Sequence, residues 1–330
     1  MAMRIRTTTT TRIRTIMTTD GAKRLRLQSW FSPAFPIGAF SYSHGLEWAV
    51  EEGTVTDRGS LVAWLEADLC HGSGRADAIF FVEAWRATQA APPSPGMLAH
   101  SALSRQGRGL EFVAPQSFSR QPELPVAPFA ATGACPLPLR ERAAAEPPGE
   151  GAHTGNASNL RPSSEPLLRQ PMETSAHELL TVAELAAARR ATSELALESG
   201  QQGIAFLGAV RKAWPHPELD RLANLLTHAA IAPVLPVAAG ICCAVHEIGL
   251  ELALPVYVQG SAGNLVNAAL RLIPLGQTDG QIAVAALEAS VLETAREAMG
   301  AHLDDIGSAA FMVDLASMRH ETQYTRLFRS

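Results

Sequence analysis

From Leu222 to His246 the chain runs for twenty-five residues without a single Asp, Glu, Lys or Arg. A stretch of that length either crosses a bilayer or is buried inside protein. Asn224, Thr227 and His228 place polar groups along it. Pro233 and Pro236 would interrupt a spanning helix at its middle, because proline withholds a donor and clashes with the preceding turn. The expected outcome is two helices meeting at a proline-rich turn, each buried on most sides. A second charge-free stretch, Leu252 to Leu270, carries Pro255, Gln259, Asn264 and Asn267. Those amides are costly facing lipid but can be satisfied between helices. The chain therefore needs enough other helices to cover both stretches, and a membrane-embedded protein is the rejected alternative.

Covering helices are legible on both sides. Asp57 to Cys70 sets Leu61, Val62, Leu65 and Leu69 at helical spacing, and Ala76 to Gln89 does so with Ile79, Phe80, Val82 and Trp85. Ser175-Ala176-His177-Glu178 has the pattern of a capping box opening a helix that runs to Glu198 and ends at Gly200. Further helices are expected over Gln202 to Trp214, from Pro217, on either side of Pro236, over Pro255 to Leu272, and from Thr278 to about Met299. No alternating Val/Ile/Thr strand and no fixed repeat occurs. The expected fold is all-α, an irregular bundle of about eight to ten helices. Residues 92 to about 171 are rich in Pro, Gly, Ser, Ala and Arg with no sustained apolar period, and are expected to be a long disordered insertion in a single domain spanning 28–330. Cys135 and His153 fall inside it. Residues 1–27 hold Arg4, Arg6, Arg12, Arg14, Lys23, Arg24 and Arg26 against Asp20 alone, and are expected to be a disordered basic extension, with an organellar targeting role as the alternative.

Composition narrows the function. The formal net charge of −5 argues against a nucleic-acid binder. The four cysteines show no CxxC spacing, and Cys242-Cys243 sits in the apolar stretch, as buried thiols in a reducing cytosol would. No GxxxxGK[ST] loop, GxSxG elbow or HExxH helix is present. Gly72-Ser73-Gly74 reads as a turn, and Gly260-Ser261-Ala262-Gly263 as a close helix contact. His302-x-Asp304-Asp305 could offer metal ligands but lies in an expected loop. His246-Glu247 and His320-Glu321 are adjacent pairs, which on a helix diverge by about 100° and chelate poorly. The reading is of a chain with no cofactor and no metal of its own. An all-α enzyme using His44 and Glu47 as acid and base stays as an alternative.

Two segments carry the most specific signal. The last residues end in Arg326-Leu327-Phe328-Arg329-Ser330, two guanidinium groups around an apolar pair. This suits a docking peptide for carboxylates on another protein, and equally suits a tail folded back on its own core. Near the other end, Ser32 to Trp48 reads SPAFPIGAFSYSHGLEW. It combines Pro33 and Pro36, Gly38 and Gly45, and ring surface at Phe35, Phe40 and Tyr42, with Ser41 and Ser43 as N-cap hydroxyls. The pattern S-P-x-F-P-x-G-x-F-S-x-S-x-G-L-E from Ser32 to Glu47, the stretch Arg271-Leu272-Ile273-Pro274-Leu275-Gly276-Gln277 continuing to Gly280-Gln281, and the ending with His320-Glu321 and 326–330 together resemble the urease accessory protein UreF family.

That resemblance implies an all-α, dimeric, non-enzymatic maturation factor in the cytoplasm. Such a factor joins a UreD/UreH-type accessory protein and a UreG-type nickel-carrying GTPase on apo-urease, coupling GTP hydrolysis to nickel insertion. By position, it assigns His320, Glu321, Tyr324, Arg326, Leu327, Phe328, Arg329 and Ser330 to the UreD/UreH-type contact. Phe35, Phe40, Tyr42, His44, Glu47, Arg271, Gln277 and Gln281 are weaker candidates for shared interfaces, with Arg271 either an arginine finger acting in trans or a structural ion pair. Gln259, Asn264, Asn267, Gln277 and Gln281 are read as buried amides, serving either inter-helix packing or a polar path at a subunit junction.

Overall fold

The computed structural model describes residues 20–90 and 171–330, all within one compact unit. Among them there is no strand. The helices, numbered in chain order, are α1 (20–30), α2 (Leu46–Glu51), α3 (Arg58–His71), α4 (Ser73–Ala90), α5 (Pro171–Ala188), α6 (Ser193–Ala213), α7 (Pro217–His228), α8 (Leu235–Val245), α9 (Leu250–Leu272), α10 (Gln277–Ala286), α11 (Glu288–Gly300) and α12 (Phe311–His320). Single 3-10 turns lie at Ala39–Ser41 and Leu303–Asp305.

The charge-free stretch becomes the centre of this all-α fold. α7 ends at His228, Pro236 sits in the first turn of α8, and every residue of α8 from Pro236 to Val245 is buried. α8 packs against α4 on one side and α6 on the other. α4 contributes Ile79, Phe80, Phe81 and Val82, all essentially inaccessible. Burying a side chain of that size stabilises by roughly 1.5–3 kcal/mol. Two glycines allow the close crossings. A Cβ on Gly240 would lie 2.5 Å from the Phe81 carbonyl oxygen of α4, and one on Gly203 only 2.1 Å from that of Pro233. Cys242 and Cys243 are inside α8, where burial pushes both thiols up and keeps them protonated. No helix of the described residues is long and apolar enough to cross a membrane.

Among the described residues the helices number twelve against the eight to ten expected, and the differences have local causes. The helix expected from Thr278 to Met299 is two, α10 and α11, bent at Leu287, which the bend buries completely. The helix expected to end at Gly200 ends at Ala188. α6 then starts afresh at Thr192, whose hydroxyl accepts from the Leu195 amide, and runs straight through Gly200. Ser175 is not a cap. It lies within α5 and donates its hydroxyl hydrogen bond to the Ala87 carbonyl of α4. The expected extension over 1–27 is also cut short, because residues 20–27 are in α1, held by Leu27 and Trp30 at 2% and 1% exposure. Residues 1–19 and 91–170 lie outside the described residues, and with them nearly all of the expected insertion, Cys135 and His153.

The two kinds of glycine in α6 are expected to respond oppositely. Gly203→Ala should destabilise by about 1–3 kcal/mol through overpacking against Pro233. Gly200→Ala, which meets nothing within 4 Å, should stabilise by about 0.5–1 kcal/mol. Urea unfolding of the two variants checks the sign difference.

Candidate functional site

The two motifs near opposite ends of the sequence meet in space. Gly38 (φ 74°), His44 (φ 58°) and Gly45 (φ 76°) are left-handed, turning the segment before α2 so that it runs against α12. A Cβ at Gly45 would fall 2.6 Å from the Ser317 amide nitrogen, so only glycine permits this approach. Residues 326–330, bent at Leu327 and Phe328, then lie along residues 41–47. The Arg329 amide donates to the Ser41 carbonyl at 2.8 Å, and the Ser43 amide donates to the Ser330 carbonyl at 2.8 Å. The Ser43 hydroxyl donates to that same carbonyl.

Three buried carboxylates organise the contact. Glu47, in the first turn of α2, accepts from the amides of Leu327 (2.6 Å) and Phe328 (2.8 Å) and from His320 Nε2 (3.1 Å). Glu194, in the first turn of α6, accepts from His320 Nδ1 (2.6 Å) and from Arg326. His320 is fully inaccessible, with a carboxylate at each ring nitrogen. Glu198, one turn along α6, accepts from the Ser330 hydroxyl (2.6 Å) and the Gln202 amide (3.2 Å), and faces His44 Nδ1 at 3.5 Å.

His44 leads inward from this surface. Its Nε2 donates to the Ser73 hydroxyl at 2.7 Å, which in turn donates to Asp68 at 2.6 Å. Burial works against a charge on His44, but the hydrogen bond and charge of Glu198, with Asp68 and Asp77 beyond, lift its pKa to about 9. Burial also opposes ionisation of Glu198, yet His44, Ser330 and Gln202 hold it below the usual carboxylate value. Behind His44, Asp77 pairs with Arg190 at 2.6 Å. These groups wall a cavity of about 80 Å³, into which Arg190 Nη2 and the Ser199 hydroxyl bring buried atoms without a protein partner.

The candidate residues divide by environment. Phe328 is 3% exposed and Ser330 is buried, so the apolar pair is not jointly exposed as the sequence suggested; Leu327 alone faces solvent, at 56%. Tyr42 is buried with its hydroxyl donating to Gln201 (2.7 Å), and Phe35 packs on Phe206, while Phe40 and Tyr324 are exposed. Glu321 accepts from the Ser193 amide and hydroxyl. Arg271 is neither a free finger nor an ion pair. It donates to the Phe40 carbonyl at 2.6 Å and lies 4.4 Å over the Phe328 ring. The amides are not buried either. Gln259 and Asn264 are half-buried, and Asn267, Gln277 and Gln281 are exposed, because the apolar stripe of α9 turns inward through Ala262, Val266 and Ala269 instead. Gln259, Asn267 and Gln281 edge a surface groove beside Phe31 and Gly263. His44 and Glu47, the acid–base pair of the enzyme alternative, have their polar atoms committed to other partners.

Glu194, Glu198, Gln201, Asp77 and Arg190 are absent from the sequence-derived set. The first three recur at helical spacing on one face of α6, a signal hidden by the expectation that a single helix ended at Gly200. Among the described residues no group of three or more His, Cys, Asp or Glu is arranged to hold a metal ion. His246 is instead packed against the Trp30 ring and accepts from Arg26, with burial and that positive charge lowering its pKa to about 4.

The UreF family model matches residues 157–288. The chain is similar to the urease accessory protein UreF of Rhodopseudomonas palustris (strain HaA2), 37% identical over 311 residues, covering 94% of this chain and 95% of that protein. It is similar likewise to the urease accessory protein UreF of Bradyrhizobium diazoefficiens, 36% identical over 312 residues, covering 94% and 93%.

Two measurements test this network. Glu47→Ala leaves two amides and one ring nitrogen of the buried His320 unpaired, and should cost on the order of 3 kcal/mol in chemical unfolding. The folded pKa of His44 is above its ordinary 6.5, so its contribution is complete below that pH and disappears as pH rises through about 9. The thermal midpoint of the wild type should therefore fall across that window, and His44→Gln should flatten the fall. An unchanged slope in the variant would remove His44 from the network. Glu198 acts in the opposite sense, its contribution being lost on acidification below the ordinary carboxylate range.

Proposed function

The chain belongs to the urease accessory protein UreF family, and from that premise we propose that it matures urease as an adaptor that other proteins grip. The relatives are named for an accessory protein, not for an enzyme. In this reading the chain transforms no substrate. It holds a UreD/UreH-type accessory protein and a UreG-type GTPase on apo-urease while nickel, the cargo, is delivered in a step driven by GTP hydrolysis. Homodimerisation and a cytoplasmic location belong to the same proposal.

One observation supports it above the others. α12 presents Phe311, Met312, Leu315 and Met318 to solvent, each between 42% and 74% exposed, while Val313, Ala316, Ser317 and His320 on its other face are buried. A short helix anchored by the buried His320 side chain and showing four large apolar side chains outward suits recognition by another protein. Tyr324 and Leu327 add exposed apolar surface in the segment that follows. The UreD/UreH-type partner is therefore assigned to this face. Arg271, committed to Phe40 and Phe328, is not carried forward as a finger for the GTPase.

Truncation after Gln323 is a poor test, because it also removes the buried Phe328 ring and the donors to Glu47. Substitution on the outward face separates docking from folding. Leu315→Arg combined with Met318→Glu should weaken co-purification with the UreD/UreH-type partner at least about tenfold, or 1.4 kcal/mol. The thermal midpoint should stay near wild type, and urease activation in cells should fall with the binding. Undiminished capture by the double variant would sink the α12 assignment.

A further inference from the structure

Segment 326–330 sits against the rest of the chain in the way a peptide ligand sits in a cleft. Its main chain is read by Ser41 and Ser43, and two consecutive amides are read by the single carboxylate of Glu47. Its burial alternates around a bend at Leu327 and Phe328: Phe328 and Ser330 are buried, Leu327 and Arg329 exposed. Each inward or flanking group has a dedicated partner. The Phe328 ring lies under Arg271, Arg326 meets Glu194, and the Ser330 hydroxyl meets Glu198. The cleft walls belong to α2 and α6, which pack into the core through Leu46, Ala49, Phe206 and Val210, independently of the segment.

The tether is short. Between the end of α12 and Arg326, the Thr322 and Gln323 amides donate to main chain, Glu321 accepts from Ser193 and the buried Gln323 side chain donates to Glu51, while Tyr324 is fully exposed. A ligand on such a tether owes its occupancy largely to a high effective concentration. Any other copy of this chain carries the same matched sequence.

We propose that the cleft between residues 41–47 and α6 is an exchangeable peptide site, specific for an Arg-Leu-Phe-Arg-Ser segment, which takes its own segment in cis and that of a second copy when the cis segment is released. The Glu194 carboxylate selects the first arginine, Arg326, and the Phe328 position sets the apolar requirement. This inference does not depend on the identity of any partner protein.

The test uses the full chain with Arg326→Ala and Phe328→Ala, which vacates the cleft, and a fluorescent hexapeptide spanning Thr325–Ser330. The variant should bind the peptide at least about tenfold more tightly than wild type, and adding Glu47→Gln should reverse the gain. Unlabelled full-length Glu47→Gln chain, whose own segment is loosened, should displace the peptide. No binding by a variant with a native thermal transition, binding indifferent to Glu47→Gln, or failure of the displacement would each overturn the proposal. If the vacated variant does not fold, hydrogen exchange on the wild type decides. Amides of Leu327, Phe328 and Arg329 should exchange at least about tenfold faster than those of Ile241 and Cys242, and equal rates would mean the segment leaves only on global unfolding.

Discussion

A single carboxylate, that of Glu47, joins the two ends of the described chain. It accepts two main-chain amides of the last segment and one nitrogen of His320, a position with no direct access to water. Removing a carboxylate from water is costly, and three partners converging on it offset that cost. The same logic repeats at Glu194 and Glu198 one turn apart on α6, so α2, α6, α12 and segment 326–330 are held by one set of charges instead of by apolar packing alone. An arrangement of this kind is weak evidence of stability but strongly specifies geometry, because a displaced partner leaves a buried charge alone.

That ionic junction is built on an apolar scaffold of a different character. α8 is buried along its length, sandwiched by α4 and α6 at glycine-permitted distances. α6 belongs to both systems: Phe206 and Val210 face the core, while Glu194 and Glu198 face the junction. Its rigidity carries the positioning of the carboxylates. The outward apolar face of α12 is presented to solvent by a helix whose inner face is held at His320 and Ser317, so docking surface and ionic junction are two sides of one ten-residue element.

Several features were readable in the residues. The prolines at 233 and 236 divided the charge-free stretch between two helices, of which α8 is buried as expected while α7 buries only one face, and Asp57 opened α3 where expected. The three family-like segments were identified by their order alone. Other features were not readable for physical reasons. Amides on α9 looked buried because the helix is apolar on most faces, and which face turns inward depends on neighbours distant in sequence. Phe328 looked exposed because a chain end has no local signal of burial. Gly200 resembled a helix stop, yet a glycine ends a helix only where the following residues have nothing to gain by continuing, and α6 gains its contact with α8.

The sequence by itself determined the all-α class, the buried centre at residues 235–245 and membership of a family, because helical periodicity, proline geometry and motif order are local properties of the chain. Only the tertiary structure decided that Glu47, Glu194, Glu198, His44 and His320 form one network, and that the terminal motif is a ligand for the early one. Glu47, Glu194 and His320 are separated from one another by more than a hundred positions, and the energy of a buried charge pair exists only once folding has removed the water between them.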